Sequence, residues 1–430
     1  MTTRDRAQRA KKSSILLAAA DTNIKNRALR AIAKALKEKI TIILNANNRD
    51  LDLARKEKIA VPLLKRLAFD RSKIEDAIAG IESLISLPDP VGETLCATEL
   101  DQDLELYKIS CPIGVMGVIF ESRPDALVQI SCLCLKSGNS VLLKGGSEAL
   151  HTNRALADII TTATSNSGIP AGWIQLLETR DDVKEMLALD QTIDLIIPRG
   201  SNEFVQYIMN NSSIPVLGHA DGICHVFVDD AADIDMAVKV TVDSKTQYVA
   251  VCNAAETLLV HSQIAASFLP PLAAALSQHA VELFGCSRTA DIIQVQPATG
   301  EDWKTEYLDA ILSIKIVDSL DEAVDHINTY GSGHTDAIIT ENSAHAGHFM
   351  SLVDSGNVFW NCSTRFADGF RYGLGAEVGI STNKIHARGP VGLDGLLIYK
   401  WKLIGQGQTV AEYNGTKKFT HRRINHTCPL

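Results

Sequence analysis

Apolar residues near the N-terminus recur at helical intervals. Leu29, Ile32, Leu36, Ile40 and Ile43 are spaced by three or four, which lines them along one face and predicts helix through this stretch. From residue 99 to 109 the pattern shortens to alternation at Leu104, Leu106 and Ile109, which predicts a strand. The apolar run 115–120 then reads as a buried parallel strand. Beyond it strand and helix alternate. Residues 141–143 predict a strand, Lys144-Gly145-Gly146 a tight loop, and Ser147 the N-cap of a helix ending near Gly168 and Pro170. Short apolar runs at 173–177, 193–197 and 214–217 continue the series, and a second α/β block from about His225 carries runs at 257–260, 314–317, 337–340 and 357–360. The pattern is that of doubly wound parallel sheets in two blocks, with a ligand cleft expected between them.

Composition changes this picture little. The chain has 430 residues, 46% hydrophobic and 22% charged, with a formal net charge of −9, so no general nucleic-acid field is expected. The basic clusters at 4–12 and 417–423 read as solvated tails. No run reaches the roughly 18 apolar residues of a membrane helix, and the six-residue run from Ile15 is too short for a signal peptide core, so a cytoplasmic protein is expected.

Nine cysteines are scattered without paired spacing. Cys132 and Cys134 lack the second pair of a metal site, and the glycines between His326 and His334 break any helical face that would align them, so no metal is expected. His326 reads as a structural helix residue, whereas His334, in a glycine-rich loop before a strand, is placed nearer a ligand. Cys252, flanked by small uncharged residues ahead of a strand, reads on its own as either a core thiol or a nucleophile. Lys144-Gly145-Gly146-Ser147 and Pro198-Arg199-Gly200-Ser201 both follow strands and suit phosphate, although glycine loops after strands are common without a ligand. The fingerprint G-x-G-x-x-G is absent, Gly373-Leu374-Gly375 having its third glycine one place late. Glu377, among small residues and glycines, fits a plain turn or a contact to ribose hydroxyls.

Several long motifs occur together in order. They are Pro112-Ile113-Gly114-Val115 with Glu121-Ser122-Arg123-Pro124, Lys144-Gly145-Gly146-Ser147-Glu148-Ala149, Ile197-Pro198-Arg199-Gly200, and Val251-Cys252-Asn253-Ala254-Ala255-Glu256-Thr257. Gly331-Ser332-Gly333-His334-Thr335-Asp336, Ser363-Thr364-Arg365-Phe366-Ala367-Asp368-Gly369 and Gly373-Leu374-Gly375-Ala376-Glu377-Val378-Gly379 complete the set. In these the chain resembles the γ-glutamyl phosphate reductases, a branch of the aldehyde dehydrogenase superfamily. The resemblance implies an α/β, aldehyde-dehydrogenase-like fold: two doubly wound parallel-sheet domains with a small β oligomerisation extension. A cofactor-binding domain is expected over 1–98 and 112–224 and a catalytic domain over 225–400. Residues 99–111 and 401–430 would form the extension and tail.

The resemblance further implies NADPH-dependent reduction of L-glutamyl 5-phosphate to L-glutamate 5-semialdehyde with release of phosphate, the second step of proline biosynthesis. Cys252 matches the catalytic cysteine, Lys144 the lysine at the adenosine ribose or its 2′-phosphate, and Glu377 the glutamate at the nicotinamide ribose. Gly146, Ser147, Arg199 and Gly200 join the expected cofactor set, and Arg123, Asn253, His334 and Arg365 the expected substrate contacts. Lys144 serves a ribose hydroxyl or a phosphate, so NADP over NAD stays open. A homo-oligomer and handover of the acyl phosphate from glutamate 5-kinase are also expected.

Three departures bear on mechanism. Tyr248-Val249-Ala250 stands where many family members have Arg-Pro and a small residue, so another cation, Arg123 or Arg365, must substitute. Ser122 stands near the place of the superfamily's oxyanion-hole asparagine. The loop Gly218-His219-Ala220-Asp221-Gly222 lacks the glutamate that activates water in ordinary aldehyde dehydrogenases, which suits a reductase. An ordinary aldehyde dehydrogenase and a silent, partner-binding relative are the alternative readings.

Overall fold

The computed structural model describes residues 1–219, 221–415 and 417–429. They form two compact units: Met1–Gly200, Tyr207–Leu217 and Val391–Leu430 make the first, and Ser201–Gln206 with Gly218–Pro390 the second. No helix among the described residues is long and apolar enough to cross a membrane.

In the first unit the antiparallel strands β1 (Thr94–Asp101) and β2 (Leu104–Pro112) precede four parallel strands, β3 (Val115–Phe120), β4 (Ser140–Gly145), β5 (Ile174–Leu177) and β6 (Leu195–Arg199). The parallel sheet runs β5-β4-β3-β6. The order reverses at β3, and at such a switch point the carboxyl ends of the strands diverge and leave a crevice. Gly114, just before β3, has φ +134°, and a Cβ there would lie 2.2 Å from Asp194 Oδ2. A glycine lets Asp194 take the Val115 N–H at 2.8 Å and the Lys11 ammonium at 2.7 Å. The β1–β2 hairpin is extended by strands from the far end of the chain, giving the order Leu397–Ile404, β2, β1, Arg422–Ile424.

The second unit holds seven parallel strands, β7 (Cys224–Val228), β8 (Ala255–His261), β9 (Glu282–Gly285), β10 (Gln296–Pro297), β11 (Ile311–Val317), β12 (Thr335–Ile339) and β13 (Asn357–Trp360), in the order β10-β9-β11-β8-β7-β12-β13. Side chains alternate between its faces. Val226, Val228, Leu258 and Val260 pack with Phe268, Leu269 and Leu272 of the helix Ser262–Ser277. Phe227, Leu259 and Ile338 pack with Ile327 and Phe349 from helices Leu320–Tyr330 and Ser343–Leu352. A sheet covered on both faces explains why its strands read as unbroken apolar runs.

Several local expectations need correction. The face from Leu29 to Ile43 belongs to two helices, Thr22–Glu38 and Ile40–Lys56, parted at Lys39, where φ −103° and ψ 19° leave the helical range. Only one residue is spent at the break, so the apolar period runs on unnoticed. Lys144 and Gly145 are strand, not loop, because β3 continues beside them and pairs Ile119 with Lys144 and Phe120 with Gly145. Pro198 and Arg199 likewise end β6 rather than forming a loop. Residues 214–217 make a single bridge, Ile196 to Val216, rather than a strand, since Pro215 has no N–H for a ladder. Ser147 does not cap the next helix; it opens a three-residue turn, and the helix Leu150–Thr164 starts without a side-chain cap of its own.

That helix start is served from elsewhere in the unit. Asp50, almost fully buried, accepts from the backbone N–H of His151 at 3.1 Å and of Thr152 at 2.8 Å, and from the Thr152 hydroxyl at 2.6 Å. Its carboxylate satisfies N–H groups the helix cannot pair itself and lies at the positive end of the helix dipole. Asp50→Ala leaves those donors buried and unpaired, and is expected to lower unfolding free energy by about 3 kcal/mol, read as a shifted denaturation midpoint at unchanged m-value.

Candidate active site

The expected nucleophile lies in the second unit, in the loop 247–254 between the helix Ile234–Thr246 and β8. The loop is closed at its base by Lys245 and Glu256, whose Nζ and Oε2 are 2.6 Å apart and both fully buried. Burial lowers the lysine's pKa and raises the glutamate's, so each charge depends on the other. Higher up, Asn253 Nδ2 donates to Ala367 O at 2.8 Å, and the Cys224 thiol donates to Cys252 O at 3.1 Å. Gly222 runs directly alongside: a Cβ there would lie 2.1 Å from Cys252 O and 2.4 Å from its Cα. The half-buried thiol of Cys252 is therefore fixed from its flanks by backbone and buried polar contacts.

Two imidazoles stand beside it. Cys252 Sγ and one nitrogen each of His219 and His334 lie within 4.8 Å of one another. The two rings meet edge to face at 4.9 Å. His219 Nδ1 faces Ile380 O at 3.0 Å, which fixes the proton on Nδ1 and leaves Nε2 as the basic nitrogen. His334 is fully buried, with Nδ1 2.8 Å from Thr335 Oγ1 and Nε2 without a hydrogen-bond partner among the described residues. Burial, with His219 adding to it, holds the His334 pKa well below the usual histidine range, so this ring is neutral. His334 was expected near ligand and the fold sets it against the thiol. His219 was missed as a functional group. Its loop was read only for the glutamate it lacks, though a titratable residue at that place was the available signal; Ala220 lies outside the described residues.

Arg365 supplies a cation. Only 8% exposed, it donates from Nε to Gln247 Oε1 at 2.9 Å, so its guanidinium is tied to the cysteine loop itself. Burial lowers its pKa, and the negative charge of the Cys252 thiolate acts in the opposite sense. Tyr248, in the position of the missing Arg-Pro step, is 55% exposed. Glu377 accepts from Gly369 N at 2.7 Å and so pins the glycine-rich segment 369–377. His326 is buried against Trp303 and Tyr330, and burial pushes its pKa down to about 3, as befits a structural residue.

The thiol, both imidazoles and Gly222 lie at the amino-terminal edge of their sheet: Gly222 and His219 precede β7, Cys252 precedes β8, and His334 precedes β12. The expected cofactor residues of the first unit collect at the opposite kind of edge. Strand pairing brings the carboxyl ends of β3, β4 and β6 level, matching Phe120 with both Gly145 and Arg199. Lys144, 7% exposed, donates from Nζ to Gly145 O at 2.6 Å; burial lowers its pKa and nearby Glu148 opposes that shift.

Glu148, not singled out from the sequence, organises this edge. Its Oε1 accepts from Ser122 N at 2.6 Å and from Ser122 Oγ at 2.8 Å. Ser122 has φ +45°, a conformation that costs a non-glycine residue of order 1 kcal/mol or more and is held here by the carboxylate. A Cβ on Gly146 would lie 2.0 Å from that same Oε1, so glycine gives Glu148 its path to Ser122. An ammonium and a carboxylate one turn apart at a switch point fit the hydroxyls of a nucleotide ribose. Ser147 lies in the same turn, Gly200 follows β6, and Arg123 is exposed where the helix Pro124–Lys136 begins.

Gly222→Ala tests the loop packing. The added carbon has no room against the Cys252 backbone, so the variant is expected to fold, by circular dichroism and melting temperature, yet to alkylate at Cys252 at least about tenfold more slowly, in line with the sensitivity of reacting geometry to displacements near 1 Å.

The pattern of the aldehyde dehydrogenase family matches residues 5–284 and 285–375. The gamma-glutamyl phosphate reductase of Acetivibrio thermocellus is 67% identical over the whole of both chains, and that of Pelotomaculum thermopropionicum is 66% identical over 97% of each. The crystal structure of gamma-glutamyl phosphate reductase from Thermotoga maritima superposes with a TM-score of 0.93 at 42% identity, covering 95% of this chain and 100% of that one. An acetylating aldehyde dehydrogenase from Geobacillus thermoglucosidasius shares the fold at 17% identity and a TM-score of 0.63. Two α/β units with parallel sheets, a buttressed cysteine loop and identity of this extent lead to one conclusion: the chain belongs to the aldehyde dehydrogenase family, with the gamma-glutamyl phosphate reductases.

Proposed function

We propose that this oxidoreductase carries out the NADPH-dependent reduction of L-glutamyl 5-phosphate to L-glutamate 5-semialdehyde with release of phosphate, the second step of proline biosynthesis. The observation that carries the reading is the Cys252 thiol beside two imidazoles and a loop-bound arginine, in a chain 67% identical to a protein named for that reduction. In this reading His219 Nε2 accepts the thiol proton, and the Arg365 guanidinium stabilises the thiolate. Cys252 Sγ attacks the 5-carbonyl, the carbon–oxygen bond to phosphate breaks, and phosphate departs with its electron pair. The backbone N–H of Cys252 holds the oxyanion through the addition. When bound, the nicotinamide supplies the hydride that reduces the resulting thioester. The carbon–sulfur bond then breaks, Cys252 leaves as thiolate, and the semialdehyde is released.

In the first unit, Lys144 and Glu148 are the proposed hold on the adenosine ribose, with Gly146, Ser147, Arg199 and Gly200 around the phosphates; in the second, Glu377 is the proposed hold on the nicotinamide ribose. Arg123 and Asn253 complete the proposed substrate set. The one carboxylate of the loop 218–222, Asp221, accepts from Asn202 Nδ2 at 2.8 Å. An activated water would compete with hydride for the thioester, so a loop without the water-activating glutamate supports reduction over hydrolysis. Contact between copies is assigned to the strand Leu397–Ile404, which exposes Ile398, Tyr399, Trp401 and Leu403. Acyl phosphates are labile, and direct handover from glutamate 5-kinase belongs to the same reading.

The reverse reaction tests it. Purified protein given glutamate 5-semialdehyde, NADP⁺ and inorganic phosphate is expected to form NADPH, and to stop doing so without phosphate. In Cys252→Ala the rate is expected to fall by about 10³-fold or more. NADPH formed without phosphate would mean that water deacylates the enzyme, and the ordinary aldehyde dehydrogenase reading would replace this one. A Cys252 that alkylates no faster than the other thiols, with no cofactor binding, would favour the silent relative.

A further inference from the structure

The trio that surrounds the thiol has a second chemical character. A cysteine sulfur and two imidazole nitrogens within 4.8 Å of one another are soft and borderline ligands drawn from three separate loops, ahead of β7, β8 and β12. Spacing along the chain could not reveal them, because positions 219, 252 and 334 are far apart in sequence. His334 adds an independent observation: it is fully buried, its Nδ1 is engaged by Thr335 Oγ1 at 2.8 Å, and its Nε2 has no hydrogen-bond partner among the described residues. A buried polar atom without a partner is destabilising and calls for an explanation. A Lewis acid satisfies it directly. His219 comes with its outer support in place, Nδ1 held on Ile380 O at 3.0 Å, the kind of second contact that orients a histidine and raises its basicity as a ligand.

We infer that Cys252, His219 and His334 form a three-ligand site for a borderline-soft divalent cation, zinc above all, and that its occupation silences the nucleophile reversibly. Zinc–nitrogen bonds of about 2.0–2.1 Å and zinc–sulfur bonds of about 2.3 Å, set tetrahedrally, place one sulfur and two nitrogens roughly 3.3–3.6 Å apart. From separations within 4.8 Å the trio needs to close by at most about 1.5 Å, within reach of side-chain rotation. On binding, the Cys252 S–H bond breaks, its proton goes to solvent, and the sulfur electron pair bonds the metal. Water takes the fourth position of an open, three-ligand site. A sulfur bound in this way cannot attack a carbonyl, so the same geometry that serves the thiol makes the protein sensitive to free zinc. The binding step needs no substrate and no cofactor, and it stands whether or not the proposed reductase reaction does.

Cobalt(II) is the spectroscopic probe, since thiolate coordination gives it an intense sulfur-to-metal absorption absent from sites built of nitrogen and oxygen alone. Chelator-treated full-length protein titrated with Co²⁺ is expected to develop that absorption to one equivalent, and Zn²⁺ is expected to displace it. Cys252→Ser is expected to abolish the band, and Cys224→Ser, whose thiol lies 3.6 Å from His334 Nδ1, to keep it. His219→Gln and His334→Gln are each expected to weaken binding by more than about tenfold, in protein whose melting temperature shows that it is folded. Should His334→Gln fail to fold, His219→Gln and prior carboxymethylation of Cys252 carry the same test. Absence of the band in wild-type protein, its survival in Cys252→Ser, or its loss in Cys224→Ser alone would overturn the inference.

Discussion

The cysteine loop depends on the buried pair of Lys245 and Glu256. Neither side chain has any exposed surface, and their charged atoms sit 2.6 Å apart at the two ends of the segment that carries Cys252. Taking such a pair out of water gains little over an apolar pair of the same shape, but losing one partner strands the other at a cost of about 3–5 kcal/mol. The pair therefore acts as a specification of geometry: 245 and 256 can meet in one way only. With its ends fixed, the loop receives its remaining contacts from the segment of Gly222 and Cys224 and from Ala367, two separate stretches of the same unit.

The two units use their sheets in opposite senses. In the first, Lys144, Ser122 and Arg199 stand at the carboxyl ends of parallel strands where the order reverses, the arrangement that suits a nucleotide. In the second, the Cys252 thiol, both imidazoles and Gly222 stand at the amino-terminal ends. There, loops enter strands rather than leave them, and a residue's position is set by how the preceding segment is anchored. This explains why so much of the second site consists of side chains holding backbone: Asn253 on Ala367, Glu377 on Gly369, and Ser332 on Ile223.

The fold was largely legible in the sequence, because strands covered on both faces leave apolar runs that survive as a pattern and because the motifs identify the architecture. What was not legible turned on contacts made across long separations. Lys144-Gly145 reads as a turn until β3 is seen to continue beside it. Ser147 reads as a cap until Asp50, about a hundred positions earlier, takes the role. Gly222 looks like any loop glycine, and its closeness to Cys252 follows only from the adjacency of β7 and β8. His219 and Glu148 lay inside quoted stretches, but their partners, Ile380 and Ser122, are supplied by other parts of their units. Arg365 was named as a substitute cation, and its bond to Gln247 gives a concrete route to the cysteine loop.

The way the chain is divided between its units bears on its manufacture. The second unit is nearly continuous in sequence, from Gly218 to Pro390 with one short earlier segment. The first is assembled from both ends: strand Leu397–Ile404 pairs along the length of β2, and Asn139 donates to Leu396 O at 2.8 Å. On a ribosome, which releases N-terminal segments first, residues 1–200 must wait for residues 391–430 to complete their unit. The inserted unit has all but its last residues available well before then. Completion of the nucleotide-type sheet's unit thus waits until the inserted unit has been made, and a product cut after Pro390 would carry a complete cysteine loop on a chain whose first unit lacks its edge strand.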